Sequence, residues 1–348
     1  MSPLSQYYSQ NYSQTCPEPS GTLFLTTPES LSIGAKIVGC FGIPANFLAY
    51  YLIIFHTPEF MKHLKGCLLH LKIWTLLIDL VYTVFLIPFV FYPIFAMGYI
   101  GISTNIFGIP SEIQFYLAMC CYGGISSAGI LLFENRQHYM IPEGYRFRIQ
   151  NPFFRSLLVV FNGLLGVSIA MVAFWLRSDS EELKFKFLKL NPCPSPLYFS
   201  PQTFAVDTNR NELSIAIVTV LSLVFLQYTF FFSHCVIYIY SEEAGRYSRT
   251  TRKMQKMFLL ASFTQLLIFV VVIVVPLGVF AVVLTMRVVV SQALLNICNL
   301  IIPTIGINTT GALIIMYKPY RNYILNLFNK NKKKTDNLNS VFSKTLAF

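Results

Sequence analysis

Charged residues are what this sequence has least of. Asp, Glu, Lys and Arg together make up 12% of its 348 residues, against 55% hydrophobic ones. Ordinary soluble domains carry about 25% charged residues, so a soluble domain is excluded and a bilayer becomes the natural solvent. Residues 1–30 contain no Lys or Arg and no apolar core, which removes the pattern of a cleavable signal peptide. The first apolar run must then direct insertion itself. The five histidines, His56, His63, His70, His138 and His234, fall at no metal-ligand spacing, and no glycine loop of the phosphate-cradling kind is present. A membrane enzyme would lack a reactive constellation, and no cofactor or metal is expected. Internal repeats are missing too, and among acidic residues only Asp79 lies deep in an apolar run, which weighs against a transporter.

What is present is a series of long apolar runs. About twenty residues suffice to cross about 30 Å of hydrocarbon as a helix. Runs at 31–55, 67–92, 111–133, 153–176, 213–240, 257–284 and 291–317 meet that length, and together they predict an all-α, seven-transmembrane helix bundle. Residues 1–30 read as an extracellular tail and 318–348 as a cytoplasmic one. In the latter, Tyr323, Ile324, Leu327 and Phe328 share one helical face ahead of Lys330, Lys332, Lys333 and Lys334, the pattern of a short interfacial helix on an anionic leaflet.

Orientation follows from the basic residues. The formal net charge of +11 is spread over segments between apolar runs, so it reads as membrane-surface charge and no nucleic-acid partner is expected. With the N-terminus outside, eighteen Lys and Arg fall on the inner segments and six on the outer ones. The positive-inside rule therefore favours an outer N-terminus and an inner C-terminus. A channel with the N-terminus inside would need the reverse. The sequon at Asn11 then becomes a usable glycosylation site, whereas Asn308-Thr309-Thr310 falls inside a span. Of the eight cysteines, Cys16 and Cys193 are the two that fall outside, where the oxidising exterior permits a disulfide that spacing alone does not establish.

Three constellations carry chemistry. Glu134-Asn135-Arg136 ends a charge-free run at the inner face, and the third inner segment adds Arg252 and Lys253 among five basic residues. Asp79 is a carboxylate deep in the second run, costly unless partnered, and so a candidate functional group. In the outer halves of the later runs, Tyr116, Met119, Gln292, Asn296 and Asn299 are candidates for lining a small-molecule pocket among many aromatics.

The Glu134-Asn135-Arg136 triplet, His70-Leu71-Lys72-Ile73-Trp74 followed by Asp79, and Tyr317-Lys318-Pro319-Tyr320-Arg321 after the seventh run resemble nematode serpentine chemoreceptors, with class H (Srh) closest. The resemblance spans residues 22–328. It implies a G protein-coupled receptor for an environmental chemical, multi-pass in the plasma membrane of a sensory neuron's cilium, with a small, apolar ligand and a heterotrimeric G protein as partners. It places Arg136 where such receptors meet the G protein. Glu134 stands two positions before it, so the acidic-neighbour lock of the wider superfamily is altered or absent. Asn46, Asp79 and Asn308 resemble the polar set linking helices one, two and seven. Receptors of this kind tie the second outer loop to the top of helix three, but here that position is Ser111, so the tether is missing. A transporter or ligand-gated channel of small solutes is the alternative reading.

Overall fold

In the computed structural model the described residues are 6–8, 12, 16, 24–92, 95–145, 147–176, 181–190, 193–200, 202–206, 211–241, 248–288, 290–327 and 329. Seven helices among them are long and apolar enough to cross a membrane. We label them α1 (Pro28–His56), α2 (Lys62–Leu80, continued by a π-helical turn Val81–Phe85), α3 (Ser111–Met140), α4 (Pro152–Trp175), α5 (Glu212–Tyr240), α6 and α7. Helix α6 runs Arg249–Phe269, through a π-helical turn Val270–Val274, to Val275–Met286. Helix α7 runs Gln292–Ile301, tightens to a 3₁₀ turn Ile302–Thr304 at Pro303, and resumes as Ile305–Met316. Proline at such a point lacks a backbone N–H and breaks the regular hydrogen-bond ladder.

Burial ranks the helices. In α3, 72% of the spanning window is buried, against 22% in α5, so α3 is the central post of the bundle and α5 a lipid-facing wall. Large apolar side chains are exposed on the outside of the bundle, including Phe41, Phe47, Trp175, Leu226 and Ile237, as a hydrocarbon solvent permits. Helices α3 and α4 touch at backbone distance. A Cβ placed on Gly123 would stand 2.3 Å from the Gly163 carbonyl oxygen, and one on Gly166 would stand 2.5 Å from the Gly123 nitrogen. Small residues on both faces are what allow that approach.

Several boundaries differ from expectation. Helix α2 stops at Phe85 instead of reaching residue 92, because Ile87 takes φ 48° and Pro88 follows it. The chain then forms a small antiparallel sheet across the opening at the end of the bundle expected to face outward: β1 (Pro88–Phe91), β2 (Ala96–Tyr99) and β3 (Phe204–Ala205), in the order β1-β2-β3. Register pairs Phe89 with Gly98 and Met97 with Phe204. The end of the expected second helix and parts of the two connections expected after the second and fourth helices thus build a lid, with a short helix Glu181–Leu190 packed over it through Phe187, which stacks on Tyr198 at 4.5 Å. Helix α3 continues to Met140, so Glu134, Asn135 and Arg136 lie within a helix and not at its end. Helix α6 already begins at Arg249, which puts Arg252 and Lys253 on its first turns.

Residues 318–327 are helical. They dock on the inner end of α1: Tyr320 and Thr57 hydroxyls bond at 2.8 Å, and Tyr323 stacks on His56 at 3.6 Å. Burial raises the Tyr320 phenol above its ordinary value, keeping it neutral there. Ile324 packs beside them, Leu327 is exposed, and Phe328, like Asn11, lies outside the described residues.

At the outer face Cys16 and Cys193 form a disulfide 177 residues apart in sequence. Ser111 donates from Oγ to the Gln202 carbonyl, and the Val206 N–H donates to the Phe95 carbonyl at 2.9 Å. The lid is held on both sides. We expect Cys16→Ser to lower the unfolding temperature of the purified protein, by an equivalent of about 2–5 kcal/mol. Reduction of the parent chain should reproduce the loss, and identical melting of reduced and oxidised chains would refute it.

Candidate functional site

Two polar layers and an outer, largely apolar cavity are stacked along the bundle. In the middle layer Lys72 and Asp79 stand seven positions apart on α2, two turns, so both face the gap between α1 and α7. Both are buried, at 2% and 0% exposure. Asp79 Oδ2 accepts from Asn46 Nδ2 at 2.6 Å, and Asn46 Oδ1 accepts from Thr75 Oγ1 at 3.1 Å. The Lys72 ammonium has three protons and meets three acceptors on α7: Thr309 Oγ1 at 2.7 Å, Thr310 Oγ1 at 2.7 Å and the Gly306 carbonyl at 3.2 Å. Asp79 Oδ1 has no partner in the structure. Gly306 makes the approach possible, since a Cβ there would stand 1.9 Å from Asp79 Oδ2.

Asn308 does not join this layer. It is exposed and donates to Thr304 Oγ1 at 3.1 Å on its own helix. One residue on a helix is about 100° of rotation, and that turn puts Thr309 and Thr310 inward instead. Of the set Asn46, Asp79 and Asn308, the first two are in contact and Lys72 bridges from there to α7.

At the inner layer the charges are distributed in an unusual way. Glu134 pairs with Arg155 of α4, Nη2 to Oε2 at 2.8 Å and Nε to Oε2 at 2.9 Å. Arg155 Nη2 also donates to Asn135 Oδ1 at 3.1 Å, while Asn135 Nδ2 donates to the His63 carbonyl at 3.1 Å. Arg136, 3% exposed, points the other way. Its Nη1 donates to Ser262 Oγ on α6 and its Nη2 to Tyr317 Oη, just past α7, at 2.5 Å. Its Nε has no partner. The guanidinium is therefore held by two hydroxyls, and the carboxylate two residues away is spent on α4. Arg252 and Lys253 lie near the inner end of α6, with Lys253 exposed.

The outer layer is a cavity of about 910 Å³ of atom-free space, partly open to solvent, between α2, α3, α5, α6 and the lid. Its described walls are aromatic and aliphatic, with Tyr82, Tyr92, Phe95, Tyr99, Phe115, Phe269 and Phe280 prominent, and carry no Asp, Glu, Lys, Arg or His. Met119 and Asn299 line it, as the sequence suggests. Tyr116 does not: its hydroxyl is directed to Met171 Sδ on α4 at 2.6 Å. Gln292 and Asn296 are also turned elsewhere. Gln292 Nε2 donates to the Val90 carbonyl of β1 at 3.0 Å and Asn296 Nδ2 to the Leu25 carbonyl at 2.8 Å, while Asn299 Nδ2 reaches the Pro88 carbonyl at 3.3 Å. These amides satisfy backbone carbonyls of the edge strand β1 and of the 3₁₀ turn Phe24–Thr26. Sequence reading missed Lys72, Arg155, Ser262 and Tyr317. The two-turn spacing of Lys72 from Asp79 was the one local signal; the others become neighbours only through tertiary packing.

The fold defined by these helices is that of rhodopsin-like membrane receptors. Squid rhodopsin superposes with a TM-score of 0.57 at 14% identity, over 86% of this chain and 85% of that one, which is a statement about fold alone. The family model described as serpentine type 7TM GPCR chemoreceptor Srh matches residues 26–330, so the chain belongs to that family of multi-pass membrane receptors. Serpentine receptor class H-72 of Caenorhabditis elegans is 28% identical over 332 residues, 95% of this chain and 94% of the relative.

The middle layer makes a testable statement. Lys72→Met removes the ammonium but leaves Asp79 buried with no cation nearby, and should cost about 3 kcal/mol of stability. The double change Lys72→Met with Asp79→Asn removes both charges and should melt higher than the single variant. Equal melting of the two, measured on purified protein, would show that the charges are independent.

Proposed function

We propose that this protein is a chemosensory G protein-coupled receptor, with its N-terminus outside, that binds a small uncharged molecule in the outer cavity and signals to a heterotrimeric G protein through its inner face. The observation that carries the reading is Arg136. A buried arginine anchored on α6 and beside α7 by two hydroxyls can be released when those helices part, and an exposed guanidinium then becomes a contact for a partner. Binding shifts the population toward the open form only by the ligand's preference for it. The cavity supports the ligand side: it is apolar, enclosed by the lid and joined to α6 and α7 by its walls. The disulfide at one end of the bundle and the basic segments at the other support the orientation. Sensory neurons and their cilia are the setting that family membership suggests.

Arg136→Ala should abolish agonist-driven signalling at normal surface expression. Tyr317→Phe should act in the opposite direction on the resting receptor. It removes one charge-assisted hydrogen bond holding Arg136, worth about 1.5 kcal/mol, and should raise basal signalling about tenfold. A second-messenger assay normalised to surface protein reads both, and unchanged basal and stimulated levels in well-expressed variants would refute the assignment.

Antibody access to tags on intact cells tests the orientation. An accessible N-terminal tag with a protected C-terminal one is the expected result, and the reverse would move the channel reading to the front.

A further inference from the structure

From the cavity walls we infer that the ligand is a neutral, largely hydrocarbon molecule carrying one hydrogen-bond-accepting oxygen, of the ketone, ether or ester kind, and that Tyr99 donates to it. The inference rests on the proposed outer-cavity binding site. Tyr99 is the last residue of β2, on the underside of the lid, and is 2% exposed. Its side chain lines the cavity, and its hydroxyl is buried with no hydrogen-bond partner. Buried polar groups are nearly always satisfied, so an orphan hydroxyl in a cavity wall marks a place where a bound molecule supplies the missing partner.

The neighbouring hydroxyls sharpen the chemistry. Tyr82 and Tyr122 line the same cavity and bond to one another at 2.6 Å. In such a pair one hydroxyl donates and the other accepts, which leaves one phenolic proton over. The cavity thus offers at least two O–H donors, and Tyr92 and Ser126 add further hydroxyls to its lining. Asn299 gives one of its two amide protons to the Pro88 carbonyl and keeps the other. A donor-rich spot in an apolar box recognises an acceptor. Ionised ligands are disfavoured because no described wall residue carries an opposite charge. Pure hydrocarbons fit the walls but leave the phenols unpaired, and a site built around a hydrogen bond discriminates against the analogue that lacks it.

The test uses the full chain in lipid nanodiscs and reads binding as a rise in melting temperature, separately from signalling. Matched sets on common six- to ten-carbon skeletons supply a ketone, an ester, the parent hydrocarbon, a carboxylate and an ammonium ion. We expect stabilisation by one or more ketones or esters, with the hydrocarbon of the same skeleton about tenfold weaker and the ions inactive. Tyr99→Phe should erase that tenfold advantage, and a cooperative melt of the ligand-free variant shows that it folds. Equal binding of hydrocarbon and ketone, preference for an ion, no stabilisation by any ketone or ester, or a Tyr99→Phe variant with undiminished preference would each overturn the inference. The receptor reading is judged apart, by the signalling of Arg136→Ala.

Discussion

Hydrocarbon offers no hydrogen bonds, and that constraint governs every polar group in this bundle. Lys72 is the clearest case. Its charge sits in the middle of the membrane-spanning region, and its three protons are matched to three acceptors of α7. Asp79 on the same face of α2 balances that charge while being held by Asn46 of α1. The pair fixes α1, α2 and α7 to one another at a depth where packing alone, against equally apolar lipid, has little preference. Gly306 is required at that point because any side chain would occupy the carboxylate's position.

The same requirement explains the outer lid. Once α2 ends at Phe85, the backbone of the following residues has lost its helical partners. Strand pairing satisfies part of it, and the amides of Gln292 and Asn299 satisfy more. Among the described residues no disulfide joins the second outer loop to α3; Ser111 at the start of α3 instead donates to the Gln202 carbonyl. The covalent link runs from Cys16 to Cys193, tying the N-terminal segment to that loop. The loop is restrained from a different side.

Span count was legible because hydropathy depends on composition over about twenty residues, which local misreadings do not disturb. Depth and direction were less so. Residues 88–92 are as apolar as any helix, and only the conformation of Ile87 before Pro88 shows that the chain has turned into a strand. Asn308 looked like the polar residue of α7, yet the next two threonines face inward, a rotation that sequence alone does not orient. Outer asparagines and glutamine were expected at a ligand because polar groups in apolar runs suggest binding. Most of theirs goes to the chain itself. Arg136 was found by its place after a charge-free run, but its true partners, Ser262 and Tyr317, are 126 and 181 residues away in sequence.

Helix α7 now acquires a particular position in the architecture. Its outer turn holds the lid, its middle turn accepts from Lys72, and Tyr317 just beyond its inner end holds Arg136. Between the first two stands the 3₁₀ turn at Pro303, where the helical ladder is already interrupted. A bend there can change the outer contacts without unwinding the regular helix on either side. In the proposed receptor, a molecule under β1 and β2 presses on the strands that Gln292 and Asn299 clamp, and α7 is the element in contact with the lid, the buried charge and the arginine. Coupling through it has a physical requirement: two arrangements of α7, each satisfying Lys72. The Gly306 carbonyl and the two threonine hydroxyls lie within about one turn of α7, so a small rotation can lengthen one of these bonds while the other two still hold the ammonium.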